Sequence, residues 1–251
     1  MDQIRQAAQL LSQSSRVVVF TGAGISTESG LSDFRSPGGL WENYDPSEFT
    51  FDRIVSDKRI REKYWQFQKV LWPEIVQAQP NAAHLGIVEL DRMKKLDCVI
   101  TQNIDGLHQK AGLANEKVIE IHGTNRWVMC LSCAKRYPRE EIQQRLENGE
   151  NDPSCDECGG ILKPATISFG QAMPVKETQL AEEKSASCDL FLVIGSSLVV
   201  YPAAQMPVLA KKSGAKLIII NATSTPHSDR ADLIIQEKAG ETMARIVNLL
   251  Q

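Results

Sequence analysis

The stretch RVVVFTGAGISTESGLSDFR, Arg16 to Arg35, constrains the rest of the chain. Val17, Val18, Val19 and Phe20 form a short β-branched and aromatic run that reads as a buried strand, and it stops at a loop holding Gly22, Gly24 and Gly30. A strand feeding a glycine-rich loop suggests phosphate binding. Backbone without side chains approaches a pyrophosphate closely, and amide hydrogens at a following helix N-terminus neutralise its charge. For the glycines alone, an ordinary strand-to-helix turn is the alternative. The usual dinucleotide fingerprint is excluded, because Ile25, Ser26 and Thr27 follow Gly22-Ala23-Gly24 where a third glycine belongs. Asp33, Phe34 and Arg35 then set an acid, a large ring and a base in a row, before a second turn at Pro37-Gly38-Gly39. That row reads as a working loop.

A chain of 251 residues suffices for one sizeable α/β domain or for a large domain with a smaller insertion. A net charge of −3 gives no electrostatic case for nucleic acid or an anionic membrane as partner. No run reaches the length of a membrane span, and no basic start precedes a long apolar core at the N-terminus. Six cysteines, four of them in two close pairs, point to a metal site in a reducing compartment rather than a disulfide framework. The expected location is the cytoplasm.

Ile4, Ala7, Ala8 and Leu11 recur at helical spacing, so a short amphipathic helix opens the chain. Between Ser36 and Pro80 no strand is convincing; Ile60, Tyr64, Phe67 and Leu71 share one helical face, with Pro73 expected to end it. Asn81 is placed to cap the next helix, in which Leu85, Ile87, Val88, Leu90 and Met93 supply apolar faces. Cys98-Val99-Ile100 resumes the sheet, and Thr101-Gln102-Asn103-Ile104-Asp105-Gly106-Leu107-His108 follows at the carboxyl end, where open α/β sheets bind ligands. Lys117 to Ile121 reads as another strand, delivering His122-Gly123 to the same edge. Leu190 to Ile194 and Leu217 to Ile220 are near-continuous apolar runs, typical of parallel strands buried on both faces, and each ends in small polar residues: Gly195-Ser196-Ser197 and Asn221-Ala222-Thr223. A last strand at Leu233 to Ile235 precedes a helix carrying Met243, Ile246, Val247 and Leu250.

From Thr124 to about Lys163 the character changes to polar, with glycine and proline, and two Cys-x2-Cys knuckles appear: Cys130 with Cys133, and Cys155 with Cys158. Four thiolates at this spacing suit a tetrahedral Zn²⁺, the alternative being unligated thiols in a mobile loop. Four protein ligands leave no open coordination position, so such a zinc is structural. Cys98 and Cys188 sit beside apolar runs and read as core thiols.

Gly22-Ala23-Gly24-Ile25-Ser26, Asp33-Phe34-Arg35, Thr101 to His108, His122-Gly123, the four cysteines, Gly195-Ser196-Ser197-Leu198 and Asn221 occur in the order seen in sirtuins, and the chain resembles that family from its first strand to its last. The resemblance implies an NAD-dependent protein-lysine deacylase. Its expected fold is α/β: a Rossmann-like parallel sheet with helices on both faces, plus a small domain made of a four-cysteine zinc module and a helical insertion. The implied boundaries are 1–35, 81–123 and 164–251 for the NAD-binding domain, 36–80 for the helical module and 124–163 for the zinc module. Gly22, Ala23, Gly24, Ile25, Ser26, Asp33, Phe34, Arg35, Gln102, Asn103, Ile104, Asp105 and His122 would surround NAD, with Asp105 reading the nicotinamide carboxamide. Gly195, Ser196, Ser197, Asn221, Ala222, Thr223 and Ala239 would hold the adenosine half, and Ile104, Ile167 and Phe169 the acyl-lysine tunnel. The stretch Ala165 to Phe169 is expected to pair with substrate backbone as an added strand. With little sequence beyond these motifs, a monomer without targeting tails is expected.

The chemistry makes independent sense of the residue types. Nicotinamide leaves with charge building on the ribose, so an amide oxygen attacks the anomeric carbon if held against it. His122, with an ordinary pKa of about 6.5, suits removal of a proton from a ribose hydroxyl, and Asn103 suits orienting the ribose and a water. Phe34 would shield the reactive face. His84 and His227 read as structural or solvated, and His108 as a brace of its loop. An Asx turn before Gly106 is the alternative role for Asp105.

Sirtuins that favour succinyl and malonyl groups resemble one another in a Tyr-x-x-Arg pair; here Tyr64-Trp65-Gln66-Phe67-Gln68 holds no arginine. An uncompensated carboxylate in an apolar tunnel is costly, so a neutral acyl group, acetyl first, is expected. The chain departs from the family pattern at Ser32, where proline is common, and at Gln171, where an acid is usual. Two rival readings are a zinc-ribbon adaptor that senses NAD and an ADP-ribosyltransferase that sends the ribosyl group to another acceptor.

Overall fold

The computed structural model describes residues 2–33 and 45–251. Phe34, Arg35 and the turn expected at 37–39 lie outside the described residues.

Six strands form one parallel sheet. Those of its amino-terminal part are β1 (Val17–Thr21), β2 (Leu96–Thr101) and β3 (Val118–Glu120). A second, three-stranded antiparallel sheet contains β4 (Gly123–Cys130), β5 (Arg136–Pro138) and β6 (Leu162–Thr166). The chain then returns to the large sheet as β7 (Leu190–Ile194), β8 (Lys216–Ile220) and β9 (Leu233–Ile235). The large sheet runs β3-β2-β1-β7-β8-β9 and the small one β5-β4-β6.

Continuous apolar runs build these strands because both faces of the large sheet are covered. Val17 and Val19 point into one cluster with Leu192, Ile194 and Ile218, packed under the helices Gln3–Gln13, Ala82–Arg92 and Ala239–Asn248. Val18 and Phe20 point the other way, joining Phe191, Val193 and Ile219 under Val175–Ser187 and Met206–Lys212. From β1 the chain leaves towards β2 and β3 on one side, and later elements continue through β7 on the other. The order therefore reverses between β1 and β7, and at such a point the loops beyond the strand ends diverge and leave a crevice.

Several local expectations are corrected. Pro73 does not end its helix, which runs through it over Lys58–Gln77. The proline lacks the N–H that would bond the Lys69 carbonyl, and Gln143 Nε2 donates to that carbonyl instead, at 3.1 Å. Tertiary contact thus supplies what the backbone lost. Leu85 is exposed on the outer face of Ala82–Arg92, whose inner positions Ala83, Ile87 and Leu90 meet the core. Lys117 lies in a helical turn before β3 rather than in the strand. The antiparallel sheet of the cysteine module also takes in Gly123 and Pro164–Thr166, because no turn residue separates Lys163 from the rest of its strand. His227 is buried, which decides between its two readings in favour of the structural one. Cys98 and Cys188 are core thiols, and burial pushes both pKa values up to about 12.

Candidate functional site

A cavity of about 1100 Å³ opens at the carboxyl end of the large sheet. Four loops floor it, following β1, β2, β7 and β8. The first and third interlock. Gly24 N–H donates to the Gly195 carbonyl at 2.8 Å, and Gly195 sits at φ +62°, where a Cβ would lie 2.2 Å from Ile25 N. A Cβ at Gly22 or Gly24 would come within 2.9 or 2.8 Å of the Gly195 carbonyl oxygen. Only glycine fits these positions.

A polar chain stiffens the floor. Asn103 Nδ2 donates to the Gly22 carbonyl at 3.2 Å and to Ser26 Oγ at 3.1 Å. Ser26 Oγ donates onward to Asp105 Oδ2 at 2.8 Å, while Asp105 Oδ1 accepts from Leu107 N–H at 2.9 Å. With both amide hydrogens committed, Asn103 Oδ1 is left as the acceptor. Asp105 does make the Asx turn before Gly106, and each carboxylate oxygen keeps a second lone pair. Burial raises its pKa, opposed by the Leu107 and Ser26 hydrogen bonds.

His122 follows β3 and lines the cavity. Its Nδ1 lies 3.2 Å from the Gln102 carbonyl, which only accepts, so the proton resides on Nδ1 and the lone pair on Nε2. Burial lowers the His122 pKa more than this bond raises it, and the ring is neutral at pH 7. The Gln102 side chain in turn accepts from Ser196 Oγ at 2.7 Å, which ties the β2 loop to the β7 loop.

Gly22, Ala23, Gly24, Asp33, Gln102, Asn103, Ile104, His122, Ile167, Phe169, Gly195, Ser196, Ser197, Asn221, Ala222, Thr223 and Ala239 are brought together around this cavity. Ser26 and Asp105 line a smaller recess beside it, of about 70 Å³, which shares Ala23, Gln102, Asn103 and Ile104 with the large one. Ile25 is not brought to either; its side chain is buried in the sheet core. Gln171 closes a local turn, its Oε1 accepting from Ser168 N–H at 3.1 Å.

Sequence reasoning missed several parts of the lining, among them Thr27, Met173, Glu237 and Lys238. Phe49, Tyr64 and Phe67 form an aromatic wall, with Phe49 stacked on Phe67 at 5.8 Å and edge-on to Tyr64 at 5.6 Å. The helical spacing of Tyr64 and Phe67 signalled a core face but not that its edge is open, and Phe49 carried no signal. Val200, Tyr201 and Pro202 close the β7 side, with no signal in the sequence. Glu28 also lines the cavity, and its Oε1 accepts from Gly240 N–H at 2.8 Å, capping the helix Ala239–Asn248 across a separation no local pattern reveals.

The four cysteines converge. Their sulfurs all lie within 4.8 Å of one another, with Cys130 and Cys158 3.5 Å apart and Cys133 and Cys155 3.7 Å apart. A tetrahedron with Zn–S bonds of about 2.3 Å has edges of about 3.8 Å, so the donor set fits zinc in size as well as in chemistry. Cys130 and Cys155 are buried against Trp65, Val128, Tyr137 and Leu162, and Cys133 and Cys158 are exposed. Among the described residues, no helix is long and apolar enough to cross a membrane.

Comparison with known proteins agrees along the whole chain. An "NAD-dependent protein deacetylase" of Thermodesulfovibrio yellowstonii is 44% identical over 250 residues, covering 100% of this chain and 96% of the relative. An "NAD-dependent protein deacylase 2" of Archaeoglobus fulgidus is 45% identical over 247 residues, covering 98% and 95%. A solved structure described as bearing on the mechanism and regulation of Sir2 enzymes superposes with a TM-score of 0.90 at 43% identity, covering 99% of this chain and 98% of that one. A Sir2 structure with a p53 peptide and NAD⁺ gives 0.89 at 38% identity, covering 98% and 97%. The Sir2 family model matches residues 22–202, and the chain belongs to the Sir2 family.

Proposed function

We propose that the protein removes acetyl groups from protein lysine side chains at the expense of NAD, giving nicotinamide, free lysine and O-acetyl-ADP-ribose. The observation that carries the reading is the meeting, in one cavity, of a neutral His122 with Nε2 unprotonated, the acceptor Oδ1 of Asn103 and the glycine-built floor between β1 and β7. The deacetylase names of the relatives, and the Sir2 structure with peptide and NAD⁺, support it.

NAD supplies an anomeric carbon that gives up nicotinamide, and its ADP-ribose part takes the acyl group. The protein's task is to hold, orient and move one proton. Backbone at Gly22, Ala23 and Gly24 approaches the pyrophosphate; Gly195, Ser196, Ser197, Asn221, Ala222, Thr223 and Ala239 hold the adenosine half. Asp105 reads the carboxamide from the smaller recess, supported by Ser26. Asn103 Oδ1 accepts from a ribose hydroxyl or a water. His122 Nε2 takes a proton from a ribose hydroxyl, which general-base catalysis rewards by about 10²- to 10⁴-fold. Ile104, Ile167 and Phe169 line the acyl-lysine tunnel, and Asp33, with Phe34 and Arg35 as the family resemblance implies, contributes to cofactor binding. The wall of Phe49, Tyr64 and Phe67 offers no cation to an acidic acyl group, which supports the preference for a neutral one.

In this reading residues 1–35, 81–123 and 164–251 make the NAD-binding domain, and 36–80 with 124–163 the small domain. Cys130, Cys133, Cys155 and Cys158 hold one structural zinc. Its chemistry is confined to holding the chain, since four thiolates leave no open position. In the same reading the protein acts as a cytoplasmic monomer, without nucleic acid or membrane as partner; the pairing of four cysteines in two metal-binding knuckles supports a reducing compartment, and a net charge of −3 gives no attraction to nucleic acid or an anionic membrane. Sedimentation at micromolar concentration tests the monomer.

The deciding experiment is a mass-spectrometric time course with NAD and an acetyl-lysine peptide, beside a His122→Ala variant. Deacetylated peptide, nicotinamide and acetyl-ADP-ribose rising together, and a variant reduced at least about 10²-fold, is the expected result. Nicotinamide without deacetylation would instead favour transfer to another acceptor, and untouched NAD with every acyl peptide would leave only a sensing role.

A further inference from the structure

The helix Lys58–Gln77 faces two ways. Tyr64 and Phe67 belong to the aromatic cluster with Phe49 and Ile60 and line the cavity. Trp65, one position on, is fully buried in a different cluster, with Cys130, Tyr137, Ile142, Cys155 and Leu162 of the cysteine module. One rigid rod thus connects the four-cysteine unit to the wall of the site.

The seam between rod and module is built on the helix's own defect. Pro73 leaves the Lys69 carbonyl without its helical donor, and Gln143 Nε2 fills that role. Arg139 Nη2 donates to the neighbouring Gln68 carbonyl at 2.8 Å. In the reverse direction Lys69 Nζ donates to the Leu146 carbonyl, at 3.0 Å, at the end of the helix Arg139–Glu147. Arg139 is fully buried, with its guanidinium 5.8 Å from the Trp65 ring and 5.3 Å from the Trp72 ring. No carboxylate pairs with it among the described residues. The Tyr64 hydroxyl and the Glu140 and Glu147 carboxylates act on it only through space, so burial still lowers its pKa, to about 10. A buried cation whose direct partners are two ring faces and one carbonyl is costly to place, and it holds its neighbours to one geometry because any displacement strips those partners.

We propose that Arg139 is a positioning residue for substrate: it fixes the rotation and height of Lys58–Gln77, and with them the Tyr64–Phe67 wall against which the acyl-lysine lies. The inference rests on the deacylase reading of the same cavity. Arg139 is not among the residues lining the cavity, and the lining residue its charge acts on is Tyr64 of the wall, so its effect falls on the peptide side.

The test is Arg139→Met, which keeps most of the volume and removes charge and donors, with Arg139→Lys beside it. The expected result for Arg139→Met is one bound zinc and ADP-ribose affinity within about twofold of the parent, KM for the acetyl peptide raised about tenfold, and kcat within about twofold. Arg139→Lys, which keeps a charge and a donor, falls between the two. Amide hydrogen exchange, read without substrate, should speed up about tenfold or more over residues 60–72 in Arg139→Met and remain unchanged in β1 and β7. Should Arg139→Met fail to fold, Gln143→Leu removes the bond across the seam to the Lys69 carbonyl, together with one to Glu147 inside its own helix, and the same pattern is expected at about threefold in KM. An unchanged KM with unchanged exchange would overturn the inference, as would a loss of kcat and ADP-ribose binding together. A parent protein that deacylates nothing would sink the functional reading instead, while the exchange measurement would still judge the coupling of module to helix.

Discussion

His84 and His108 show what the floor of the site asks of single side chains. Their rings lie 5.1 Å apart, fully shut from water. His84 Nδ1 accepts from Asn81 N–H at 3.3 Å, and His108 Nε2 bonds Thr21 Oγ1 at 2.9 Å. Thr21 then donates to Thr101 Oγ1, which also accepts from Asn103 N–H, so the brace expected of His108 reaches the candidate catalytic amide. Burial lowers the His84 pKa to about 4, and burial with the neighbouring ring lowers that of His108 to about 3. The unfolded chain protonates both near 6.5, before the folded one does. Their contribution to stability is therefore complete above pH 6.5 and is lost as pH falls towards 4. By pH 5 the expected loss is about 2 kcal/mol for each ring, and urea midpoints at pH 7 and pH 5 measure it. At this scale the sequence was legible where a small polar residue followed an apolar run, as with Asn103, His122, Ser196 and Asn221. It was not legible at Ile25, where a glycine-loop position turned its side chain into the core.

Elements were read well where period and punctuation agreed. Leu190–Ile194 and Leu233–Ile235 were legible to the residue, because apolar runs end at glycine or polar residues. Pro73 misled because its signal is local, and the donor that rescues the Lys69 carbonyl comes from about 70 positions downstream, a partner no window contains. Asn81 illustrates the opposite case, a local signal with a distant bonus. Its Oδ1 accepts from Ala83 N–H at 2.9 Å, capping Ala82–Arg92 as expected, while its Nδ2 donates to the Ile25 carbonyl at 2.7 Å and to Ser29 Oγ at 3.0 Å. One residue pins a helix start to the cofactor loop. Asn81→Ala is expected to cost about 2–4 kcal/mol, more than a simple cap, and to weaken ADP-ribose binding, both readable by denaturant titration with and without the nucleotide.

For the whole molecule, the two sheets have separate cores and so separate dependence on metal. The clusters around β1 and β7 hold no cysteine ligand, whereas the cluster under β4 holds Cys130 and Cys155. Structural zinc contributes about 10–16 kcal/mol in comparable small units, more than this module's few apolar side chains replace. Chelation is expected to erase amide protection in β4, β5 and β6 while β1, β7 and β8 stay protected, and hydrogen exchange with a strong chelator checks it. The interlocked glycines carry a different consequence. Because Gly22, Gly24 and Gly195 leave no volume for any side chain, the floor of the cavity is closed to mutational search: every substitution there meets the opposite loop before it meets a ligand. A lineage or a designer altering acceptor preference is left with the side chains that stand above that floor, so variation among close relatives should fall on the walls, at Phe49, Tyr64 and Phe67 among others, and spare the three glycines.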